Sequence, residues 1–139
     1  MYQAAERIYE AFLRKNIKCK LREKGGMSLV ETAFSGRNFA SVSLYFLSNA
    51  EGNDVAVRAA NLVKFPPERL DKLYAACNDI NRRYRFAKFV VDPEKDVVNM
   101  ELDIPSRCEN VGAVAEEMLI RAARILDEVY PRLMQATWA

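Results

Sequence analysis

The segment IKCKLREKGGMSLVETAF, residues 17–34, decides the fold. In its first half Ile17, Cys19 and Leu21 alternate with Lys18, Lys20 and Arg22, and Lys24 extends the basic side, which is the period-two signature of a strand. Gly25-Gly26 supplies two positions that accept positive φ without a Cβ clash, so the chain turns tightly into a second strand from Met27 to Phe34. The sheet therefore starts as an antiparallel hairpin. Helical periodicity on both sides of the strand segments makes the fold class α+β.

Reading outward, Ala4, Ala5, Ile8, Ala11 and Phe12 recur at three- and four-residue steps, predicting an amphipathic helix over Tyr2 to Asn16. After the turn Ser35-Gly36-Arg37-Asn38, the residues Ala40, Val42, Leu44 and Phe46 alternate with Ser41, Ser43 and Tyr45 in a third strand. A turn over 49–53 leads to a fourth strand, Asp54 to Val63. Pro66-Pro67 stops the sheet and opens a helix, with Leu70, Leu73, Tyr74, Cys77, Ile80 and Asn81 on one face up to about Tyr84. The segments Phe86–Val91 and Val97–Ile104 form a further hairpin across the turn from Asp92 to Asp96. Beyond Pro105-Ser106, a helix from about Glu109 to Met134 carries the largest apolar stripe, and Pro131 is expected to bend or end it near Tyr130. The predicted order is α-ββββ-α-ββ-α in one domain over residues 1–139, with no repeat, low-complexity tract or linker.

The bulk numbers exclude several classes. With 139 residues, 50% hydrophobic and 29% charged, the composition is that of a folded domain able to bury roughly two thirds of its unfolded surface. Apolar runs are strand-sized and fall short of the ~20 residues that span a bilayer. Glu6 and Glu10 interrupt the N-terminal apolar residues, unlike a secretory signal, so a cytoplasmic location is expected. Cys19, Cys77 and Cys108 are odd in number and widely spaced, which indicates neither a disulfide framework nor a thiolate zinc site. The lack of histidine removes the commonest general base and metal ligand. No Gly-rich phosphate loop is present, and no cofactor is implied. A net charge of +2 argues against nucleic acid as the main partner.

Four constellations carry alternative readings. Lys18, Lys20, Arg22 and Lys24 fall on one side of a strand, where they serve either an anionic ligand or protection of a sheet edge from aggregation. Arg82, Arg83 and Arg85 interleave with Tyr84 and Phe86, a composition found where bases stack, yet cations also close helices favourably and Phe86 falls where a strand core residue is expected. Asp92, Glu94 and Asp96 lack the glycine and spacing of a calcium loop and read as a turn. Tyr45 and Leu47 face away from Val42, Leu44 and Phe46, and Met27 and Leu29 double the apolar character of the preceding strand. A sheet with helices on one side would present these residues as an interface; a sheet covered on both sides would bury them.

The run Phe65-Pro66-Pro67-Glu68-Arg69-Leu70, followed by Cys77-Asn78-Asp79-Ile80-Asn81, by Phe86-Ala87-Lys88-Phe89-Val90-Val91-Asp92 and by a long helix ending in Tyr130-Pro131, resembles the YbjN-like family of bacterial sensory transduction regulators. The first helix, the strand pair ending at Phe34-Ser35-Gly36 and the strand Phe39 to Leu47 follow the same order, so the resemblance covers nearly the whole chain. It implies a fold similar to type III secretion chaperones, with helices on an antiparallel sheet and subunits paired as dimers, and it brings no catalytic residues. Asn78 and Asn81 match the family's L-N-x-x-N pattern with Cys77 in place of leucine; asparagines near a helix end suit backbone capping.

The sequence thus predicts a non-enzymatic, homodimeric bacterial module that binds a protein through its sheet surface (Met27, Leu29, Tyr45, Leu47) or its last helix. The alternative is nucleic-acid or anionic-ligand binding through Lys18, Lys20, Arg22, Arg82, Arg83 and Arg85. A third reading, an enzyme working through carboxylates or Cys77, requires a concave pocket with groups of displaced pKa.

Overall fold

The computed structural model describes residues 2–50 and 52–139. Its elements are α1 (Gln3–Arg14), β1 (Cys19–Lys24), β2 (Met27–Phe34), β3 (Val42–Ser48), β4 (Asp54–Lys64), a 3-10 turn (Pro67–Arg69), α2 (Leu70–Arg83), β5 (Lys88–Asp92), β6 (Val97–Pro105) and α3 (Val111–Trp138). This is the α-ββββ-α-ββ-α order read from the sequence. The six strands form one antiparallel sheet in the spatial order β1-β2-β3-β4-β6-β5. Gly25 and Gly26, at φ 59° and 79°, make the two-residue turn that sets Lys24 opposite Met27 and fixes the register of the first hairpin. The α2 segment carries the chain past β4 to the far edge, and the β5–β6 hairpin folds back to pair β6 with β4.

One face of the sheet meets all three helices. Val30, Leu44, Phe46, Val57, Met100 and Leu102 join Ile8 and Phe12 of α1, Leu73 and Ile80 of α2 and Leu126 of α3 in one buried cluster. Phe12 and Phe46 pack edge to face with ring centroids 5.3 Å apart. Residues of opposite parity on the same strands, Leu29, Tyr45, Leu47 and Ala56, lie outside that cluster, on the face the helices leave open.

Two expectations are corrected. The last helix does not end near Tyr130: α3 continues through Pro131 to Trp138. Proline has no N–H to give the carbonyl four residues back, which here belongs to Asp127. Asn38, in the turn after β2, donates its Nδ2 to that carbonyl at 2.7 Å, and the Asp127 side chain accepts the Asn38 backbone N–H at 2.9 Å. The freed carbonyl is satisfied from outside the helix, so the helix need not break. Gly36 lies so close that a Cβ there would sit 2.3 Å from Asp127 Oδ1, which only glycine avoids.

The second correction concerns Phe86. The fifth strand starts at Lys88, and Phe86, at φ 69°, is exposed on its approach. Its ring lies under the Arg121 guanidinium, 5.1 Å from the centroid. Ala87 and Phe89 take the buried positions.

The sheet's two edges differ. Asn81 of α2 closes β5: its Oδ1 accepts the Phe89 N–H at 2.8 Å and its Nδ2 donates to the Phe89 carbonyl at 3.0 Å, as a neighbouring strand would. Lys88 Nζ donates to the Asn81 and Tyr84 carbonyls and neutralises the C-terminal end of α2. At the other edge, β1 carries exposed Lys20, Arg22 and Lys24.

Candidate functional site

Strand pairing arranges the open face in rows that run across the sheet. One row is Lys20, Glu31, Tyr45, Arg58 and Glu101, on β1, β2, β3, β4 and β6 in turn. The next is Arg22, Leu29, Leu47, Ala56 and Asp103 on the same five strands. At the level of Lys24 and Met27 the face widens to Asp54, opposite Pro105. Its centre is apolar, its β1 side basic and its β6 side acidic.

The charges within the rows are partly paired. Arg22 bonds Glu31. Arg58 donates from Nη1 to Asp103 at 3.0 Å and lies 3.7 Å from Glu101. The Tyr45 hydroxyl donates to Glu31 at 3.4 Å. These contacts hold the tyrosine and both arginines over the sheet, where their stems border the apolar centre.

Of the surface residues read from sequence, Met27 is 37% exposed, Tyr45 and Leu47 are half-buried, and Leu29 is buried by its neighbours at 6% exposure. The four therefore form the floor of a shallow face rather than a protruding patch. Leu29 and Leu47 are direct cross-strand partners.

The two basic clusters are not one surface. Lys20 and Arg22 lie on β1, with Lys18 just before it, whereas Arg82 and Arg83 close the last turn of α2 and Arg85 follows it on the approach to β5. Five strand spacings, about 24 Å, separate the two edges. Arg83 pairs with Asp79 at 3.4 Å, and Arg121 already occupies the Phe86 ring face that a base would need. Asp92 Oδ1 accepts the Glu94 and Lys95 backbone N–H groups at 3.0 and 3.3 Å, so this carboxylate shapes a turn. Asn81 takes the backbone-binding role assigned to it, while Asn78 is exposed.

Burial explains the displaced thiols. Cys77, 4% exposed on the buried face of α2, is pushed up to about 11, with Arg132 opposing the shift, so it stays protonated at neutral pH. Cys19 on β1 is raised by the same cause. The Tyr84 hydroxyl is raised because it donates to Glu128 at 3.0 Å and would face that carboxylate as an anion.

Sequence reasoning found the parity of the open face but missed its acidic side, Arg58, Glu101 and Asp103. The available signal was the alternation of Val98, Met100, Leu102 and Ile104, which puts Glu101 and Asp103 on the opposite face of β6. Its junction with β4 joins residues some forty positions apart.

An antiparallel sheet backed by helices on one face and polar-rimmed on the other defines an α+β class with one face left for contact. The family model YbjN, described as "putative bacterial sensory transduction regulator", matches residues 4–134, and the chain belongs to this family. No curated protein matches the chain. Among the described residues, no helix is long and apolar enough to cross a membrane.

Proposed function

We propose that this chain is a non-catalytic regulatory module of the bacterial cytoplasm that acts by docking a protein on the open face of its sheet. One observation carries the reading: Leu29, Tyr45 and Leu47 sit together outside the core, inside a ring of charged side chains, the arrangement of a protein interface with an apolar centre and polar rim. The family's regulatory description supports it. The resemblance to the family implies a fold like that of type III secretion chaperones, an analogy that favours partner binding and a paired state without naming a partner.

A photo-reactive residue placed at Leu47 tests the reading in living cells, with Ile120 of α3, 59% exposed, as the helix-side control. Adducts to protein are expected from position 47 and not from 120. Adducts from 120 alone would move the docking surface to the helices.

A further inference from the structure

Among the described residues, Ser48 Oγ is the one buried side-chain polar atom left without a hydrogen bond, at the end of β3 in a residue only 2% exposed. A hydroxyl left unpaired at that depth is unfavourable, and a bound group that pairs with it recovers the loss. Its cross-strand neighbour Ser28 is equally buried but is used: it accepts the Tyr2 backbone N–H at 2.9 Å and so seats the start of α1 over the end of the sheet. Both serines share the parity of Val30 and Phe46, on the helix side, so this position is separate from the open face.

Ser48 borders a cleft of about 370 Å³ whose other walls are the first turns of α1, with Gln3, Ala4 and Arg7, the turn after β3, and the loop between β6 and α3, with Arg107. The helix begins without a side-chain cap. Its first helical bond is donated by the Glu6 N–H to the Tyr2 carbonyl at 3.2 Å, so the Gln3 and Ala4 N–H groups have no acceptor inside α1. Arg7 follows one turn on, on the same helix face as Gln3. Arg107 is held at the cleft by Asn53, whose Oδ1 accepts from its Nη2 at 2.9 Å, and the Ser106 hydroxyl donates to the Gly52 carbonyl, which ties the two loops together. We propose that this cleft binds the phosphate group of a small phosphate monoester, with Ser48 and the start of α1 as its floor and Arg7 and Arg107 at its mouth. Two helix-end amides, a hydroxyl and two guanidiniums offer more donors than the two oxygens of a carboxylate accept, and they suit the three free oxygens and double charge of a phosphate ester. The volume falls in the range of small-molecule sites and leaves room for the organic part of the ester. Asp54 is the acidic residue among the described walls, and it has the parity of the open face.

Titration of the full chain with glycerol phosphate, followed by amide shifts in NMR, tests the site, with inorganic phosphate, acetate and chloride at matched ionic strength as comparisons. Saturable shifts at Gln3, Ala4 and Ser48 are expected from glycerol phosphate, with weaker binding of inorganic phosphate and no saturation by acetate or chloride. Ser48→Ala should weaken glycerol phosphate binding about tenfold, and Arg107→Gln about threefold or more. Because Ser48→Ala deletes an unpaired hydroxyl, the ligand-free variant should melt no lower than the native chain, which separates lost binding from lost folding. Arg107→Gln, at an exposed side chain, provides a second reading that does not depend on the core. Shifts that never saturate, acetate bound as tightly as glycerol phosphate, or an affinity indifferent to both substitutions would overturn the site. Inorganic phosphate bound as tightly as glycerol phosphate would overturn the assignment to a monoester.

Discussion

Phe46 and Leu47 are neighbours on β3 and point to opposite faces of one sheet. Phe46 is fully buried against Phe12 and the helices; Leu47 is half-buried between Leu29 and Ala56, with Arg22 and Asp103 at the ends of its row. The helix-covered face is mostly apolar, interrupted by the buried Ser28, Thr32 and Ser48, and supplies stability through burial, whereas the open face mixes apolar floor and ordered charge. The same strands therefore hold the domain together on one side and, on the other, form the face proposed to dock a partner.

The comparison predicts unequal costs. Phe46→Ala should destabilise the fold by about 3–5 kcal/mol, and Leu47→Ala by less than ~1 kcal/mol when measured as a monomer. Urea titrations that gave similar losses would mean that the open face is a second core.

A smaller loss of about 1–2 kcal/mol is expected for Asn38→Ala, which orphans the Asp127 carbonyl that Pro131 leaves free. In a Pro131→Ala background the helix supplies its own N–H, and the cost of Asn38→Ala should shrink. A double-mutant cycle without coupling would contradict this account of the helix.

At the closed edge, Asn81→Ala should cost about 1 kcal/mol and speed hydrogen exchange at the Phe89 amide, because β5 loses its substitute neighbour. Unchanged exchange there would show that α2 shields the edge without the amide.

The thiol of Cys77 adds a pH effect. Its folded value of about 11 lies above the ordinary 9.0, so the stabilising preference for the protonated form is complete below pH 9 and is lost as pH rises through 11. Cys77→Ala should flatten that part of the alkaline stability profile; an identical slope would assign it to other groups. The smallest effect belongs to the open face, where Arg22→Glu should change the monomer's stability by no more than about 0.5 kcal/mol.

Much of this contrast is legible in the sequence. Alternation alone places Leu44 and Phe46 against Tyr45 and Leu47, and Gly25-Gly26 fixes the first register. The continuation of α3 through Pro131 is not legible, because the group that satisfies the Asp127 carbonyl lies 89 residues away. The backbone of Phe86 escapes a strand pattern because its left-handed φ is held by tertiary packing, with Arg121 over the ring. The charge order across the open face needs the β4–β6 pairing, a contact between segments separated by α2 and β5.

The most direct measurement is the accessibility of leucine methyl groups to a soluble paramagnetic probe by NMR, compared between the purified chain and the chain in bacterial lysate, with buried Leu44 and 49%-exposed Leu13 as references. The docking proposal predicts that Leu47 gains protection in the lysate while Leu13 does not change. Leu47 unchanged, with Leu13 becoming protected, would contradict it and place the contact on the helices.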